Sequence, residues 1–528
     1  MSTEAPSLPL EGLMMRTPLL VRSLAERAGT IFAGREVVSA TATGIERSTW
    51  GEVLERARRL ASALRQLGVQ PGDRVATFGW NSRRHLELYL AVPAMGAVLH
   101  TLNIRLFEED LRYIVAHAED RVVFLDASLA HVMPRFDGVE HEVLMPDSER
   151  TREGALDYEE LLARGDPRFA FPELDENAAA AMCYTSGTTG RPKGVVYSHR
   201  STVLHTLLAN LADNVGLRER DTVMPVVPMF HANAWGLPYA AAMAGSKLVL
   251  PGPRTDPASL AQLISAEEVT CAAGVPTIWQ GIAQLEPRPD LRPLERVICG
   301  GSAAPAALIR VYDERFGVQM IHAWGMTETS PMASVCRVPP GRGESEDLYA
   351  LRATQGRVVP LVEFRIEEDS GGELEVRGPT VARAYYREEG SGEKFTEDGW
   401  LRTGDVAKLV EGSFIQLVDR TKDLIKSGGE WISSVALENE IMAHPAVVEA
   451  AVVAVAHERW GERPCACVVK RPGAELDAQA LREFLSGRVA RWWLPDRVIF
   501  IDEVPKTGVG KFDKKALRAR LAEGALGG

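Results

Sequence analysis

The sequence predicts an α/β protein with a large N-terminal domain of layered sheets and helices, a β-rich subdomain, and a small, mobile C-terminal α/β domain. The chain has 528 residues, enough for about three or four domain-sized units. Apolar residues make up 45% and charged residues 25%, as in ordinary globular proteins. Strand-like and helix-like apolar patterns alternate along most of the chain, which is typical of sheets covered by helices.

The first elements follow from the spacing of apolar residues. Residues 52–67 have helical spacing, and GDRVATFGW at 72–80 predicts a short strand after a glycine turn. A second helix is expected over 85–99 (HLELYLAVPAMGAVL) and a second strand over 121–125 (RVVFL). Further strands are expected at 221–227, 246–250, 296–299 and 318–323.

Beyond Gly356 the pattern changes to short alternating segments between glycine and acidic turns, which predict the β-rich subdomain. A boundary is expected near Asp419, because the segment that follows is charged and contains glycine, as hinges do. The predicted domains are therefore 1–419 and 420–528. The second is expected to contain a helix at 435–445, strands at 447–456 and 463–470, a helix at 478–490 and a strand at 496–505.

Composition excludes several classes of function. Lys and Arg total 60 against 72 Asp and Glu, a net charge of −12, so a dedicated nucleic-acid binder is not expected. The N-terminal residues contain no continuous apolar stretch typical of a signal peptide, and nowhere do about 18 apolar residues run together, so no membrane span is expected. Scattered cysteines without CxxC spacing favour reduced thiols and a cytoplasmic location. They are Cys183, Cys271, Cys299, Cys336, Cys465 and Cys467.

The segment YTSGTTGRPKGVVYSH, residues 184–199, is composed for binding an anion. Glycines allow backbone N–H groups to point inward, hydroxyls donate further hydrogen bonds, and Arg191 and Lys193 balance phosphate charge. The Walker pattern is not met, because Lys193 lies between Pro192 and Gly194. The segment follows a strand-like run, as phosphate-binding loops do.

This segment resembles the phosphate-binding signature of the adenylate-forming superfamily, which includes the acyl-CoA synthetases. Further motifs follow in the order of that family and cover essentially the whole chain. They are PMFHANAW at 228–235, CGGSAAP at 299–305, HAWGMTETSP at 322–331, WLRTGD at 400–405, DRTKDLIKSGGEWIS at 419–433 and PKTGVGKFDKK at 505–515. The amino-acid sequences of these motifs are most similar to those of bacterial medium- and long-chain fatty acyl-CoA synthetases and of methylmercaptopropionate-CoA ligases.

The resemblance implies an acid–thiol ligase that uses ATP, Mg²⁺ and coenzyme A as co-substrate. A carboxylate must first be joined to AMP, with loss of pyrophosphate, before a thiol can attack it. The residues implied in ATP binding are Thr185, Ser186, Gly187, Thr188, Thr189, Gly190 and Lys193 around the β- and γ-phosphates, Thr327 at the α-phosphate, Asp405 and Arg420 at the ribose, and Gly301, Ser302, Ala303, Trp324 and Gly325 around adenine. Glu328 and Thr185 would hold Mg²⁺.

The same resemblance assigns the acyl and thiol sites. Lys511 is the implied catalytic lysine, which bridges the carboxylate and the α-phosphate during adenylation. Trp235 is expected to gate an acyl tunnel. The other implied acyl-pocket residues are His231, Ala232, Gly236 and Ala304, and the residues beyond the hinge implied at the adenylate pocket or thiol route are Lys422, Lys426, Gly428, Gly429 and Trp431.

The acid itself is left open by the sequence. A medium-chain fatty acid is the first expectation, with long-chain, methylmercaptopropionic and aromatic acids as alternatives. A serine hydrolase built on Ser302 in GGSAA is a second hypothesis, although the fifth position departs from GxSxG. A non-catalytic acyl-adenylate sensor is a third, and it is disfavoured because Lys511 and Glu328 are both present. A homodimer is the expected oligomeric state.

Overall fold

The computed structural model describes residues 12–185, 191–338, 346–366, 371–388, 393–428, 430–506 and 512–525. The strands are β1 (Glu36–Ala40), β2 (Ile45–Thr49), β3 (Arg74–Phe78), β4 (Val98–Thr101), β5 (Asp120–Asp126), β6 (His141–Met145), β7 (Leu156–Asp157), β8 (Ala179–Tyr184), β9 (Gly194–Ser198), β10 (Thr222–Pro225), β11 (Lys247–Leu250), β12 (Cys271–Gly274), β13 (Arg296–Cys299), β14 (Gln319–Gly325), β15 (Met332–Val335), β16 (Arg357–Val358), β17 (Glu363–Arg365), β18 (Gly372–Arg377), β19 (Leu401–Val410), β20 (Phe414–Arg420), β21 (Ile425–Ser427), β22 (Glu430–Ile432), β23 (Val447–His457), β24 (Gly461–Lys470) and β25 (Arg497–Phe500).

The helices alternate with these strands through most of the chain. They are α1 (Val21–Ile31), α2 (Trp50–Gln66), α3 (Arg83–Ala94), α4 (Glu108–Ala118), α5 (Tyr158–Ala163), α6 (His199–Ala209), α7 (Leu237–Ala244), α8 (Pro257–Ala266), α9 (Pro276–Ala283), α10 (Ala306–Val311), α11 (Glu346–Arg352), α12 (Ser434–Met442), α13 (Ala478–Leu485) and α14 (Lys514–Ala522). Among the described residues, no helix is both long and apolar enough to cross a membrane.

Two large sheets enclose the main core. One has seven strands in the order β7-β6-β5-β3-β4-β8-β9, and the other has nine in the order β16-β15-β14-β13-β12-β10-β11-β1-β2. Buried side chains of α1, α2, α3, α6 and α7 form one cluster with residues of both sheets, so these helices are the layer between them. A second cluster packs α8, α9 and α10 on the nine-stranded sheet. The predicted α/β fold class with layered sheets and helices is confirmed.

The predicted helix over 52–67 is confirmed as α2, and its start has a clear local cause. The Thr49 hydroxyl accepts a hydrogen bond from the Glu52 N–H, and the Glu52 carboxylate accepts one from the Thr49 N–H, 2.8 Å away. The predicted helix over 85–99 is wrong at its end, because α3 stops at Ala94. Gly96 has a φ of +91°, a conformation that ends the helix, and the apolar run that follows is strand β4.

The β-rich subdomain is an antiparallel sheet in the order β17-β18-β19-β20, formed by the predicted segments together with 401–410. The C-terminal elements form a separate five-stranded sheet, in which β25 lies parallel to β24. The predicted helix over 478–490 ends at Leu485, and Gly487 follows with a φ of +83°. Asp419 lies within β20 and is buried, so the residue expected at the hinge belongs to a strand.

The carboxyl ends of parallel strands bring distant motifs together. Strands β10, β12, β13 and β14 run parallel, and the segments that leave β10, β13 and β14 carry three of the predicted motifs. Strand β8 of the other sheet ends at Tyr184, directly before the phosphate-binding segment. Ligand sites in α/β proteins form at such carboxyl edges.

Candidate active site

A cavity of about 490 Å³ lies where these strand ends meet. Its walls come from both large sheets, from the segment between β18 and β19, and from the end of β20. The predicted site residues on its lining are Thr185, Lys193, His231, Ala232, Trp235, Gly301, Trp324, Gly325, Thr327, Glu328 and Arg420. The structure therefore brings residues of five separate motifs to one cavity.

At one end of the cavity, the two ends of the phosphate-binding segment are held together. The Thr185 N–H donates to the Lys193 carbonyl at 2.9 Å, and the Lys193 N–H lies 3.3 Å from the Thr185 hydroxyl oxygen. The Lys193 ammonium lies 2.7 Å from the Glu388 carboxylate and 4.8 Å from the centre of the Tyr385 ring. The predicted residues Ser186, Gly187, Thr188, Thr189 and Gly190 lie outside the described residues.

Glu328 stands beside this end of the cavity on a short 3₁₀ turn that follows β14. The side chain is buried, and its carboxylate accepts a hydrogen bond of 2.6 Å from the Tyr385 hydroxyl. Burial, together with the Glu328 charge, raises the pKa of Tyr385, so the phenol keeps its proton and remains a donor. The neighbouring Thr327 is fixed through its carbonyl, which accepts from the Tyr197 hydroxyl at 2.7 Å.

The oxygen donors at Glu328 suit a cation that takes most of its ligands from water and substrate and few from the protein. Within the described ranges, no three His, Cys, Asp or Glu side chains converge as a metal site. One buried carboxylate and the Thr185 hydroxyl line the same cavity. A protein donor set this small matches the way Mg²⁺ binds, since Mg²⁺ keeps waters and substrate phosphates as its remaining ligands.

Asp405 lies behind the cavity wall and is tied to two site residues. Its carboxylate accepts a hydrogen bond of 2.9 Å from the Trp324 indole N–H and lies 3.1 Å from the Arg420 guanidinium. The register of β19 and β20 places Asp405 opposite Arg420, although 15 residues separate them in sequence. Asp405 is buried, whereas the Arg420 side chain is 44% exposed and lines the cavity.

The apolar end of the cavity is shaped by an unusual turn. Four consecutive residues without glycine, Ala232 to Trp235, have φ between 43° and 55°, and Gly236 continues the turn at 73°. The Trp235 ring reaches Gly300, where an added Cβ atom would lie 3.3 Å from the indole and 2.8 Å from the Ala323 carbonyl oxygen. A side chain at Gly300 would therefore collide with the backbone of β14, so this position requires glycine unless the strand shifts.

Some predicted residues do not lie on the cavity. Ala304 is buried in the core between the nine-stranded sheet and α8–α10, and Ser302, Ala303 and Gly236 are absent from the lining residues. After Asp419, the predicted residues Lys422, Lys426, Gly428 and Trp431 are likewise not on the lining. The Lys426 ammonium lies 4.6 Å from the Trp431 ring instead. Lys511 and Gly429 lie outside the described residues.

Sequence reasoning missed Tyr385, Glu388 and Lys394, which all line the cavity. They belong to a polar segment between two strands, outside every motif of the resemblance. The Tyr386 N–H donates to the Gly194 carbonyl at 2.8 Å, across 192 residues. Long-range pairing of this kind leaves no local pattern, so only the fold places the segment.

The geometry does not support the hydrolase hypothesis. His322 places its ring nitrogens 2.9 Å from the Ala353 carbonyl oxygen and 3.4 Å from the Ser302 carbonyl oxygen. The histidine therefore contacts the backbone of Ser302, and its bonds do not serve the hydroxyl. A nucleophilic serine needs that hydroxyl to be hydrogen-bonded to a base.

The chain belongs to the AMP-binding enzyme family. The family model for AMP-binding enzyme matches residues 26–386, and the model for the AMP-binding enzyme C-terminal domain matches residues 436–511. The resemblance inferred from the motifs is thereby confirmed.

Three curated relatives match almost the full chain. A medium-chain-fatty-acid–CoA ligase of Ectopseudomonas oleovorans is 46% identical and covers 97% of this chain and 98% of its own. A 3-methylmercaptopropionyl-CoA ligase of Ruegeria lacuscaerulensis is 44% identical, with 98% and 100% covered. A long-chain-fatty-acid–CoA ligase of Thermus thermophilus is 48% identical, with 96% of each chain covered.

Solved structures share the fold. The ATP-bound structure of MatB from Rhodopseudomonas palustris has a TM-score of 0.80 at 28% identity and covers 94% of this chain and 98% of that one. The anthranilate CoA ligase AuaEII in complex with anthranoyl-AMP has a TM-score of 0.87 at 24% identity, with 96% and 99% covered.

Proposed function

We propose that this protein activates a medium-chain fatty acid. It is an AMP-forming acyl-CoA ligase, which joins a carboxylic acid to AMP from ATP, releases pyrophosphate, and passes the acyl group to the thiol of coenzyme A. The observation that carries the choice of acid is the apolar end of the cavity, bounded by Val215, Trp235, Leu237, Ile298 and Met332. The relative that is 46% identical over nearly the full chain acts, by its name, on medium-chain fatty acids.

The first half-reaction brings a carboxylate against a triphosphate, so charge must be neutralised where the two anions meet. Lys193 and Thr185 are suited to hold the β- and γ-phosphates, because an ammonium-bearing and a hydroxyl-bearing side chain both line the cavity and their backbones are hydrogen-bonded to each other. Asp405 and Arg420 would hold the ribose, and Thr327 the α-phosphate. Bound Mg²⁺ would neutralise charge between the phosphates, with Glu328 and Thr185 as its protein ligands.

The remaining roles are proposed from the motifs. Lys511 would supply the cation that bridges carboxylate and α-phosphate, and Gly428 and Gly429 would leave room for the thiol arm of coenzyme A. We divide the chain at Asp419 into units 1–419 and 420–528, since the strands after Asp419 form a sheet of their own. We also propose a homodimer, and a cytoplasmic location that suits six free, buried cysteines.

An acid panel with ATP and coenzyme A tests the proposal. In an apolar tunnel each added CH₂ contributes about 0.8 kcal/mol, or roughly fourfold in kcat/KM, until the tunnel is full. We expect a rise from acetate to a maximum among medium-chain acids. Pyrophosphate exchange into ATP that depends on the acid would identify adenylation directly. A flat response from acetate to decanoate would contradict the fatty-acid proposal.

A short thioether acid is the second candidate. Two 3-methylmercaptopropionyl-CoA ligases of Ruegeria species are 44% and 45% identical to this chain over almost all of its length. A sharp optimum at 3-methylmercaptopropionate, with hexanoate and octanoate much poorer, would favour this acid. An optimum at octanoate with a poor thioether acid would favour the first proposal.

A further inference from the structure

We propose that Glu388 is an exchangeable counter-ion of Lys193, which releases the lysine to an incoming polyphosphate and competes for it again as pyrophosphate leaves. This inference rests on the proposed role of Lys193 as a phosphate ligand. Both side chains line the cavity, and their charged atoms lie 2.7 Å apart. Glu388 would thus weaken the binding of pyrophosphate and hasten its release.

The position of Glu388 is fixed by its neighbours in the chain. The Tyr386 N–H binds the Gly194 carbonyl, one residue beyond Lys193, at 2.8 Å. The Arg387 guanidinium forms two hydrogen bonds of 2.7 Å with the Glu119 carboxylate. These contacts anchor the segment directly before Glu388, so its carboxylate stands at the phosphate end of the cavity before any ligand arrives.

The exposure of the pair allows exchange. The Lys193 side chain is 35% exposed and that of Glu388 is 32% exposed, so both groups can be solvated when they separate. Ion pairs in contact with water contribute little, because hydration replaces most of the attraction. A polyphosphate presents several charges to one ammonium and can therefore displace a single carboxylate.

The displaced carboxylate does not leave the cavity. Glu388 would remain close to the bound phosphates, and like charges at short range repel. The repulsion acts on ATP and on pyrophosphate alike, because both present terminal phosphates to Lys193. The useful effect is on the product, since pyrophosphate must leave after the acyl-adenylate has formed and product release often limits such enzymes.

The test is the affinity of the full-length protein for inorganic pyrophosphate, measured by calorimetry in Glu388→Gln and in wild type. Glutamine keeps the size of the side chain and removes its charge. We expect pyrophosphate to bind about fivefold more tightly to E388Q, equal to about 1 kcal/mol. In single-turnover adenylation, E388Q should release pyrophosphate more slowly.

Two further variants test whether the change in pyrophosphate affinity depends on Lys193 and whether it is confined to the Lys193–Glu388 pair. In a Lys193→Ala background, Glu388→Gln should change pyrophosphate affinity by less than in wild type. Glu363→Gln removes the ion pair with Arg377, and neither residue is on the cavity lining, so it should leave pyrophosphate affinity unchanged. Melting curves confirm that each variant is folded.

Two results would overturn the role proposed for Glu388. Unchanged or weaker pyrophosphate binding by E388Q would overturn the proposal, because Glu388 would then be neutral or would orient Lys193 for binding. A wild-type protein that does not bind pyrophosphate would overturn it as well. Failure of the acid panel with pyrophosphate binding intact would instead contradict the proposed function, so the two failures are distinguishable.

Discussion

Lys193 and Lys514 each form an ion pair of 2.7 Å with a glutamate, in regions of the molecule that differ in solvent access. At the cavity, about a third of each side chain of the Lys193–Glu388 pair is exposed. In the C-terminal unit, the Lys514 and Glu438 side chains are only 12% and 8% exposed. The distance between the charged atoms therefore does not show the role of an ion pair. Access to water determines whether the two side chains can separate.

The surroundings of Lys514 make the buried pair part of a network. Its ammonium also donates to the Ser434 hydroxyl at 2.6 Å, and that hydroxyl donates to the Asp419 carboxylate at 2.5 Å. Asp419 also accepts the Ser434 N–H at 2.6 Å. The network thus links helix α14, which begins three residues after Lys511, to the strand that carries the proposed hinge residue.

The largest expected effect comes from breaking the buried pair. Lys514→Met should destabilise the protein by about 3–5 kcal/mol, because it leaves the Glu438 charge buried without a partner. Urea unfolding measures the loss. Lys515→Met, at the exposed neighbouring residue, is the matched control and should change stability by less than about 0.5 kcal/mol. Equal effects of the two variants would contradict the network.

Acidification should destabilise the region that contains the buried histidines and leave the Lys514 network unaffected. Burial lowers the pKa of His85, His199 and His205 to about 4, and all three lie in the N-terminal unit. Because the unfolded histidines titrate near pH 6.5, they bind protons first as pH falls, and stability present above that pH is lost towards pH 4. Between pH 7 and 5.5 the loss should be about 1 kcal/mol for each histidine.

The Lys514 network should not share this loss. Burial raises the pKa of Asp419, so its contribution to stability is present at low pH and decreases as pH rises through the folded value. Hydrogen exchange at pH 7 and 5.5, corrected for intrinsic rates, should show weakened protection in α3 and α6 with little change in α12. Weaker hydrogen-exchange protection of α12 at pH 5.5, with α3 and α6 unchanged, would contradict this expectation.

A third pair, Asp405 with Arg420, is intermediate, since one partner is buried and the other is 44% exposed. Trp324→Phe removes the indole N–H that also serves the Asp405 carboxylate. A lost hydrogen bond to a charged group costs about 1.5–3 kcal/mol, so kcat/KM for ATP should fall at least tenfold. Trp400→Phe is a control that keeps Asp405 and its bonds to Trp324 and Arg420 intact, and it should leave kcat/KM for ATP nearly unchanged.

The smallest expected effect is the change in the free energy of unfolding when the Lys193–Glu388 ion pair at the cavity is removed. Lys193→Met and Glu388→Gln should each change the free energy of unfolding by less than about 1 kcal/mol, and the double variant should show little coupling. Urea unfolding at low and high salt measures both values. A coupling as large as that of Lys514 with Glu438 would mean that Lys193 is held too firmly to exchange.

The sequence predicted the parts of this molecule that local pattern determines. The roles of Thr185, Trp235 and Glu328 were implied by the motifs of the family resemblance, and these residues do line one cavity. The end of the helix over 85–99 was wrong because an apolar run fits both helix and buried strand. Tyr385 and Glu388 could not be predicted, since pairing between residues far apart in the chain places them.

The left-handed turn from Ala232 to Trp235 has a consequence for directed evolution of acid specificity. Left-handed backbone costs roughly 1–2 kcal/mol per residue outside glycine, and branched side chains tolerate it least. Libraries that place valine, isoleucine or threonine at these positions should therefore contain mostly unfolded or misshapen variants. Gly300 offers no easier route, because an added Cβ atom would lie 2.8 Å from the Ala323 carbonyl oxygen. Lining residues in regular strands, such as Ile298 and Met332, are the more productive positions for changing the acyl chain that is accepted.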